Sequence, residues 1–330
     1  MFESVEDVTK QLDAQDYICG KNIATVVYLA EQLEKPVLVE GPAGVGKTEL
    51  AKAVAKAAGR GLIRLQCYEG LDEAKALYEW EYSKQLLYTQ ILKEKFSETM
   101  AGATTLKEAA GRVGKEDSVF FSDQFIVPRP LMRAITSEEP VLLLIDEVDK
   151  SDPEFEAFLL EVLSDFQVSV PEIGTFEAKQ TPLVFLTSND AREMSDALKR
   201  RCLHLYIDFP EEALEKRILE KKVPGVADRL AEELVGVMHR IRKLDLKKTP
   251  SISETLDWAR ALLVLNASEL DESLVQDTLS IILKYEGDIR KAESELGRLI
   301  VRKAEEQQGQ EAAEKPVEAP ADKAKKGVLH

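Results

Sequence analysis

Short, wholly apolar runs alternate along the chain with longer stretches in which apolar residues recur every three or four positions. The runs at 36–40, 62–66, 141–145, 183–187 and 204–209 read as strands. Val141-Leu142-Leu143-Leu144-Ile145 has no polar member, as expected where helices cover both faces of a parallel sheet. Helical periodicity fills 22–33, 48–58, 72–96 and 153–166. The second of these stops at Gly59, a common helix end. Strand and helix in alternation predict a doubly wound α/β domain over residues 1–209. After Phe209-Pro210 the strand signal ends, and 211–220, 226–242, 251–266, 273–285 and 289–303 all carry the helical period. An all-helical second domain is predicted over 210–301. From about Arg302 the apolar period is lost in a Glu/Gln and then Ala/Pro/Glu/Lys stretch, so 302–330 reads as a disordered tail, either plain or used for docking.

The stretch 70–119 is longer than a strand–helix–strand connection requires. Its aromatic residues Tyr78, Trp80, Tyr82 and Tyr88 either pack a helix on the body or belong to an insertion that grips a partner.

Composition narrows the class. The 330 residues are 44 % hydrophobic and 32 % charged, which suits a packed core rather than general disorder. The net charge of −16 argues against a broad basic face for nucleic acid or anionic membrane. No apolar run reaches bilayer length, and the first residues carry no secretion signal. Cys19, Cys67 and Cys202 are scattered and odd in number, which suggests neither a disulfide framework nor a zinc site. His204, His239 and His330 form no spaced cluster. A soluble cytoplasmic protein is expected.

The chemistry is concentrated in three places. Gly41-Pro42-Ala43-Gly44-Val45-Gly46-Lys47-Thr48 matches G-x-x-x-x-G-K-[ST] and lies between an expected strand and an expected helix. Glycines let the backbone curl its N–H groups around phosphate oxygens, and the following helix adds the positive end of its dipole. Lys47 would hold the β- and γ-phosphates, Thr48 would ligate Mg²⁺, and Glu49 would follow in the same nucleotide-binding turn. The 141–145 strand runs into Asp146-Glu147, two carboxylates placed for metal-assisted phosphate hydrolysis. Asp146 would hold Mg²⁺ through water, and Glu147 would polarise the attacking water. Asp149, Lys150 and Asp152 read as surface or helix-start residues, Asp152-Pro153 being a good helix opening. Finally, the 183–187 strand ends in Ser188-Asn189-Asp190, and the Asn189 amide would sense the γ-phosphate and orient the water.

With these stretches, and with Leu159-Leu160-Glu161-Val162-Leu163 and Ala197-Leu198-Lys199-Arg200-Arg201-Cys202, the sequence resembles AAA+ ATPases, and within them the MoxR family. The resemblance runs over about 15–300. Cys67-Tyr68-Glu69-Gly70-Leu71-Asp72 and the stretch Ser251 to Trp258 are most similar to its CoxD-like branch. It implies a P-loop AAA+ domain with a C-terminal helical lid, a β-hairpin over about 167–179, and an insertion in the second helix over about 70–119. It also implies an adenine pocket near Tyr17-Ile18-Cys19-Gly20, with Ile18 and Cys19 against the base. Arg201, with Arg200 in reserve, would be the finger supplied to a neighbouring subunit's ATP, which demands an oligomer. One departure stands out. The sensor arginine usual at the start of a lid helix aligns with Ser253, and Arg260, seven residues on, could take its place.

The function implied is a MgATP-driven chaperone, a hexameric ring that remodels or activates a client metalloenzyme with a von Willebrand factor A-domain partner. A branch-migration-helicase-like motor and a magnesium-chelatase-like subunit are the alternatives. The acidic charge and the lack of a recognisable winged-helix module oppose the helicase-like motor. A P-loop kinase or a nucleotide-locked scaffold fits less well, because the kinase needs no lid or finger and the scaffold would not need both Lys47 and Glu147.

Overall fold

The computed structural model describes residues 2–87, 90, 125–170 and 173–300. Most of the 70–119 insertion and the whole 302–330 tail therefore lie outside the described residues. The chain divides into two compact units, Met1–Lys222 and Val223–His330. The sequence boundary at 209/210 differs from this by one helix, because Glu212–Lys222 groups with the first unit.

The first unit opens with α1 (Val5–Ala14) and α2 (Lys21–Leu33), then β1 (Val37–Glu40), α3 (Lys47–Ala57) and β2 (Gly61–Gln66). A short α4 (Glu73–Leu77) leads into β3 (Tyr78–Trp80). After the insertion come β4 (Ile126–Pro128), α5 (Pro130–Ile135) and β5 (Val141–Asp146). The rest is α6 (Pro153–Asp165), β6 (Gln167–Val170), β7 (Gly174–Glu177), β8 (Leu183–Ser188), α7 (Asp196–Arg201), β9 (Leu203–Tyr206) and α8 (Glu212–Lys222).

Five strands form one parallel sheet in the order β2-β5-β8-β1-β9. Every residue of β1, β5 and β8 is buried, so the central strands have no solvent face, as their apolar runs predict. The edge strand β2 is exposed or half-buried at every residue except the buried Leu65. Parallel strands carry their C-terminal ends to one rim. In open α/β sheets that rim is where ligands bind. Here it gathers the loop after β1, Gln66, Asp146 and Ser188.

The helix expected over 72–96 is interrupted: helix is present at 73–77 and again at 82–87, with a strand between them. Asp72 caps α4 by accepting from the Lys75 backbone N–H at 2.8 Å, but the helix ends at Leu77. Tyr78 and Trp80 then extend and pair with Pro128 and Ile126 in an antiparallel ribbon. Aromatic residues at positions i and i+2 are a period-2 signal, and the two rings meet edge-on at 5.9 Å. The expected hairpin is seen as β6 and β7, with Val168 opposite Phe176. Arg200 and Arg201 end helix α7.

The second unit is helical throughout its described residues, with α9 (Asp228–Arg242), α10 (Ile252–Val264), α11 (Glu272–Ile282), α12 (Glu286–Ser294) and α13 (Leu296–Leu299). The single helix expected over 289–303 is thus two helices within its described part. Trp258 is fully buried on α10, and its indole N–H donates to Thr278 Oγ1 on α11 at 2.9 Å. Buried indole N–H groups need such a partner. Ser251 and Glu254 form a capping box at the start of α10.

Candidate active site

The loop between β1 and α3 is shaped by backbone that only glycine tolerates well. Gly41 has φ +143°, and a Cβ there would lie 2.0 Å from the Ile207 carbonyl oxygen just beyond β9. Gly46 has φ +97° and caps α3, whose first N–H groups have no partner within the helix. Together they form a cradle of backbone donors at a helix N-terminus, the chemistry that binds phosphate. Lys47 follows at once and is 5 % exposed. Its Nζ donates to the carbonyl oxygens of Gly41 at 2.7 Å and Pro42 at 2.6 Å, so the ammonium lies over the loop. Burial pulls its pKa below the ordinary lysine value, against the opposing influence of Asp149, Asp146 and Glu147.

Across the rim, Thr48 Oγ1 donates to Asp146 Oδ1 at 2.9 Å, and Thr187 Oγ1 donates to the same oxygen at 2.5 Å. Thr187 also accepts from the Glu147 backbone N–H at 2.9 Å. A hydroxyl beside a carboxylate is a hard-oxygen pair, which fits Mg²⁺ bound with nucleotide phosphates. Among the described residues, no group of three or more His, Cys, Asp or Glu could hold a metal ion by itself.

Glu147 adopts φ +56°, left-handed backbone for a residue with a side chain. Such strain costs on the order of 1–3 kcal/mol and is commonly kept where it aims a functional group. Three donors hold the carboxylate. Gln66 Nε2 reaches Oε2 at 2.8 Å, Lys150 Nζ reaches the same oxygen at 2.6 Å, and Asn189 Nδ2 reaches Oε1 at 3.2 Å. The bond to Glu147 raises the Lys150 pKa.

Residues 37–210, more than half of the chain, match the family model described as "ATPase family associated with various cellular activities (AAA)". The chain belongs to the AAA family of ATPases. An uncharacterized protein of Staphylococcus aureus (strain USA300) is 25 % identical over 240 residues, covering 71 % of this chain and 77 % of that protein. Among solved structures, the Thermotoga maritima RuvB Holliday junction branch migration motor aligns with TM-score 0.44 and 16 % identity, over 84 % of this chain and 72 % of that one. A point variant of the same protein aligns at 0.46 with the same coverage.

The AAA chain thus brings together Lys47, Thr48, Asp146, Glu147 and Asn189 from three sheet connections. Glu49, in the first turn of α3, pairs with Lys52 and Lys222 at 3.6 Å each. The half-buried segment Tyr17-Ile18-Cys19 reaches the phosphate loop, since a Cβ on Gly46 would lie 3.7 Å from the Tyr17 ring. Burial raises the Tyr17 hydroxyl and takes the Cys19 thiol to about 11, so both stay protonated at neutral pH. Arg200 and Arg201 are exposed at the end of α7, where Arg201 donates to Ser164 Oγ at 2.7 Å and Ala197 O at 3.5 Å. Arg260 is in the second unit, exposed and paired with Asp257 at 2.8 Å. Ser253, at the position of the expected sensor arginine, is exposed on the same helix. Among the described residues, no helix is long and apolar enough to cross a membrane.

The reading of Asp149 as a surface or helix-start residue is corrected. It is 5 % exposed, and its Oδ2 accepts from the backbone N–H groups of Asn189 at 3.2 Å and Ala191 at 3.1 Å. It thereby ties the acidic loop after β5 to the loop after β8. Gln66, Thr187 and Arg64 were likewise missed as site residues. The one available signal was position, since Gln66 ends β2 and Thr187 comes just before the end of β8, on the same rim as Asp146.

Proposed function

We propose that this ATPase is a MoxR-like AAA+ chaperone that binds MgATP and uses hydrolysis to remodel or activate a client complex. The observation that carries the hydrolytic part is the Glu147 carboxylate, fixed by Gln66, Asn189 and Lys150 beside Asp146 and facing the rim that holds the phosphate loop. Lys47 and the loop N–H groups bind the phosphates, and Thr48 and Asp146 hold the cation. Bound Mg²⁺ supplies charge neutralisation at the phosphates. Held by those three donors, the Glu147 carboxylate draws a proton from the attacking water. Asn189, already on Glu147 Oε1, orients that water. Ile18 and Cys19 flank the base.

Arg201 acts on a neighbouring subunit's nucleotide. Its exposed position at the end of α7 suits a residue offered outward. A ring, most simply a hexamer, follows from that division of labour. The β6–β7 hairpin, the long insertion and the sequence resemblance support the MoxR assignment, with a von Willebrand factor A-domain protein as partner and a metalloenzyme as client. The lid over 210–301 would report the nucleotide state, with Arg260 as its basic residue.

The test is the Glu147→Gln chain. It should bind ATP as the parent does while hydrolysis falls about 10²–10⁴-fold. Loaded with ATP, it should retain a von Willebrand factor A-domain protein. Hydrolysis that instead requires DNA, with a steep salt dependence, would contradict the chaperone reading.

A further inference from the structure

Asp146 has a partner that neither the phosphate loop nor the β8 rim supplies. Strand β2 runs parallel to β5 in a register that sets Arg64 beside Leu144 and Gln66 beside Asp146. Two residues apart on a strand, Arg64 and Gln66 share one face. The Arg64 guanidinium donates to Asp146 Oδ2 from Nε at 3.0 Å and from Nη2 at 2.5 Å. The other carboxylate oxygen, Oδ1, takes the Thr48 and Thr187 hydroxyls. The two oxygens thus face opposite sides of the rim.

The same Nη2 also donates to Gln66 Oε1. That bond turns the Gln66 amide so that its Nε2 points at Glu147 Oε2. One arginine therefore ties both carboxylates of the acidic pair to the edge strand. Its side chain is 48 % exposed while that of Asp146 is 3 % exposed. An edge-strand arginine with no task would turn its head to water, whereas this one is folded back onto a buried acid.

We propose that Arg64 is a positioning residue that sets how strongly nucleotide binding depends on Mg²⁺. This rests on the reading of Asp146 as the Mg²⁺ carboxylate. The guanidinium and the divalent cation address the same carboxylate, and two positive charges on one acid oppose each other. Cation binding at Asp146 therefore works against the Arg64 fork. The half-exposed position keeps the effect modest, because solvent screens it.

The experiment titrates the full chain with a fluorescent ATP analogue, once with Mg²⁺ and once with EDTA, and takes the ratio of the two dissociation constants. With Arg64→Gln, the gain in affinity from Mg²⁺ should rise about two- to fivefold over the parent. An unchanged or smaller gain overturns the proposal. Arg64→Lys keeps the charge but not the fork, and should give a smaller rise. It takes over as the test if the glutamine variant does not fold, and a parental ratio in it then overturns the proposal. Asp146→Asn separates the two assumptions. It should remove most of the Mg²⁺ gain, and a parental ratio in that variant means that the carboxylate assignment itself fails.

Discussion

Asp149 shows how a residue can serve this site without facing the nucleotide. Its buried carboxylate fixes two backbone N–H groups of the loop that carries Asn189, and Asn189 in turn holds Glu147. Truncating it frees that loop while leaving the phosphate cradle intact. Asp149→Ala should therefore lower kcat about ten- to a hundredfold, the worth of a charged hydrogen-bond anchor, with nucleotide Kd unchanged. Steady-state hydrolysis beside direct nucleotide titration checks this, and a loss in Kd alone would assign Asp149 to binding. Residue by residue, the readable part of the site was the part that is local in sequence. Gly41 to Thr48 is a contiguous loop, and Asp146-Glu147 ends an unmistakable strand. Arg64, Gln66, Thr187 and Asp149 gain their meaning from contacts 40 to 82 residues away, which no spacing rule reports.

Among the elements, those with a single clear period were read almost to the residue. Strands β1, β2, β5 and β8 stand within a residue or so of their apolar runs, because burial on both faces, or pairing at the sheet edge, demands the pattern that the sequence displays. The stretch from Asp72 reads as one helix because Glu73–Leu77 has good helix formers, yet these give way to aromatics alternating with Glu79 before helix resumes at 82–87. The ribbon with Ile126–Pro128 decides the outcome, and that partner is some 50 residues distant. Short helices such as Pro130–Ile135 carry too few turns for a periodic signal. Helix α10 makes a quantitative case. Its Ser251 side chain accepts from the Ser253 N–H, while Glu254 Oε2 accepts from the Ser251 N–H at 2.9 Å. Ser251→Ala should cost the helical unit about 1 kcal/mol, seen as a lowered unfolding midpoint in denaturant. Hydrolysis of ATP under native conditions should change much less.

For the whole molecule, the proposed function places both halves of a shared site on the α/β unit, the phosphate loop on one copy and Arg201 on the next. Arg201, exposed and bonded to Ser164 and Ala197, is available to another copy. A finger given in trans is worth about 10³–10⁵ in rate, so an isolated chain should be nearly idle and assembly should switch it on. The net charge of −16 leaves general attraction to nucleic acid with little to act on. In the proposed function one active site is shared between two chains, and mixing two inactive variants tests for that sharing. Glu147→Gln keeps its finger but not its base, and Arg201→Ala keeps its base but not its finger. Each alone should hydrolyse ATP at a small fraction of the parental rate, while an equimolar mixture should recover activity, because an intact base then meets an intact finger across a subunit boundary. If Arg201→Ala alone retains the parental rate, or if the mixture is no more active than its parts, the active site is not shared between subunits.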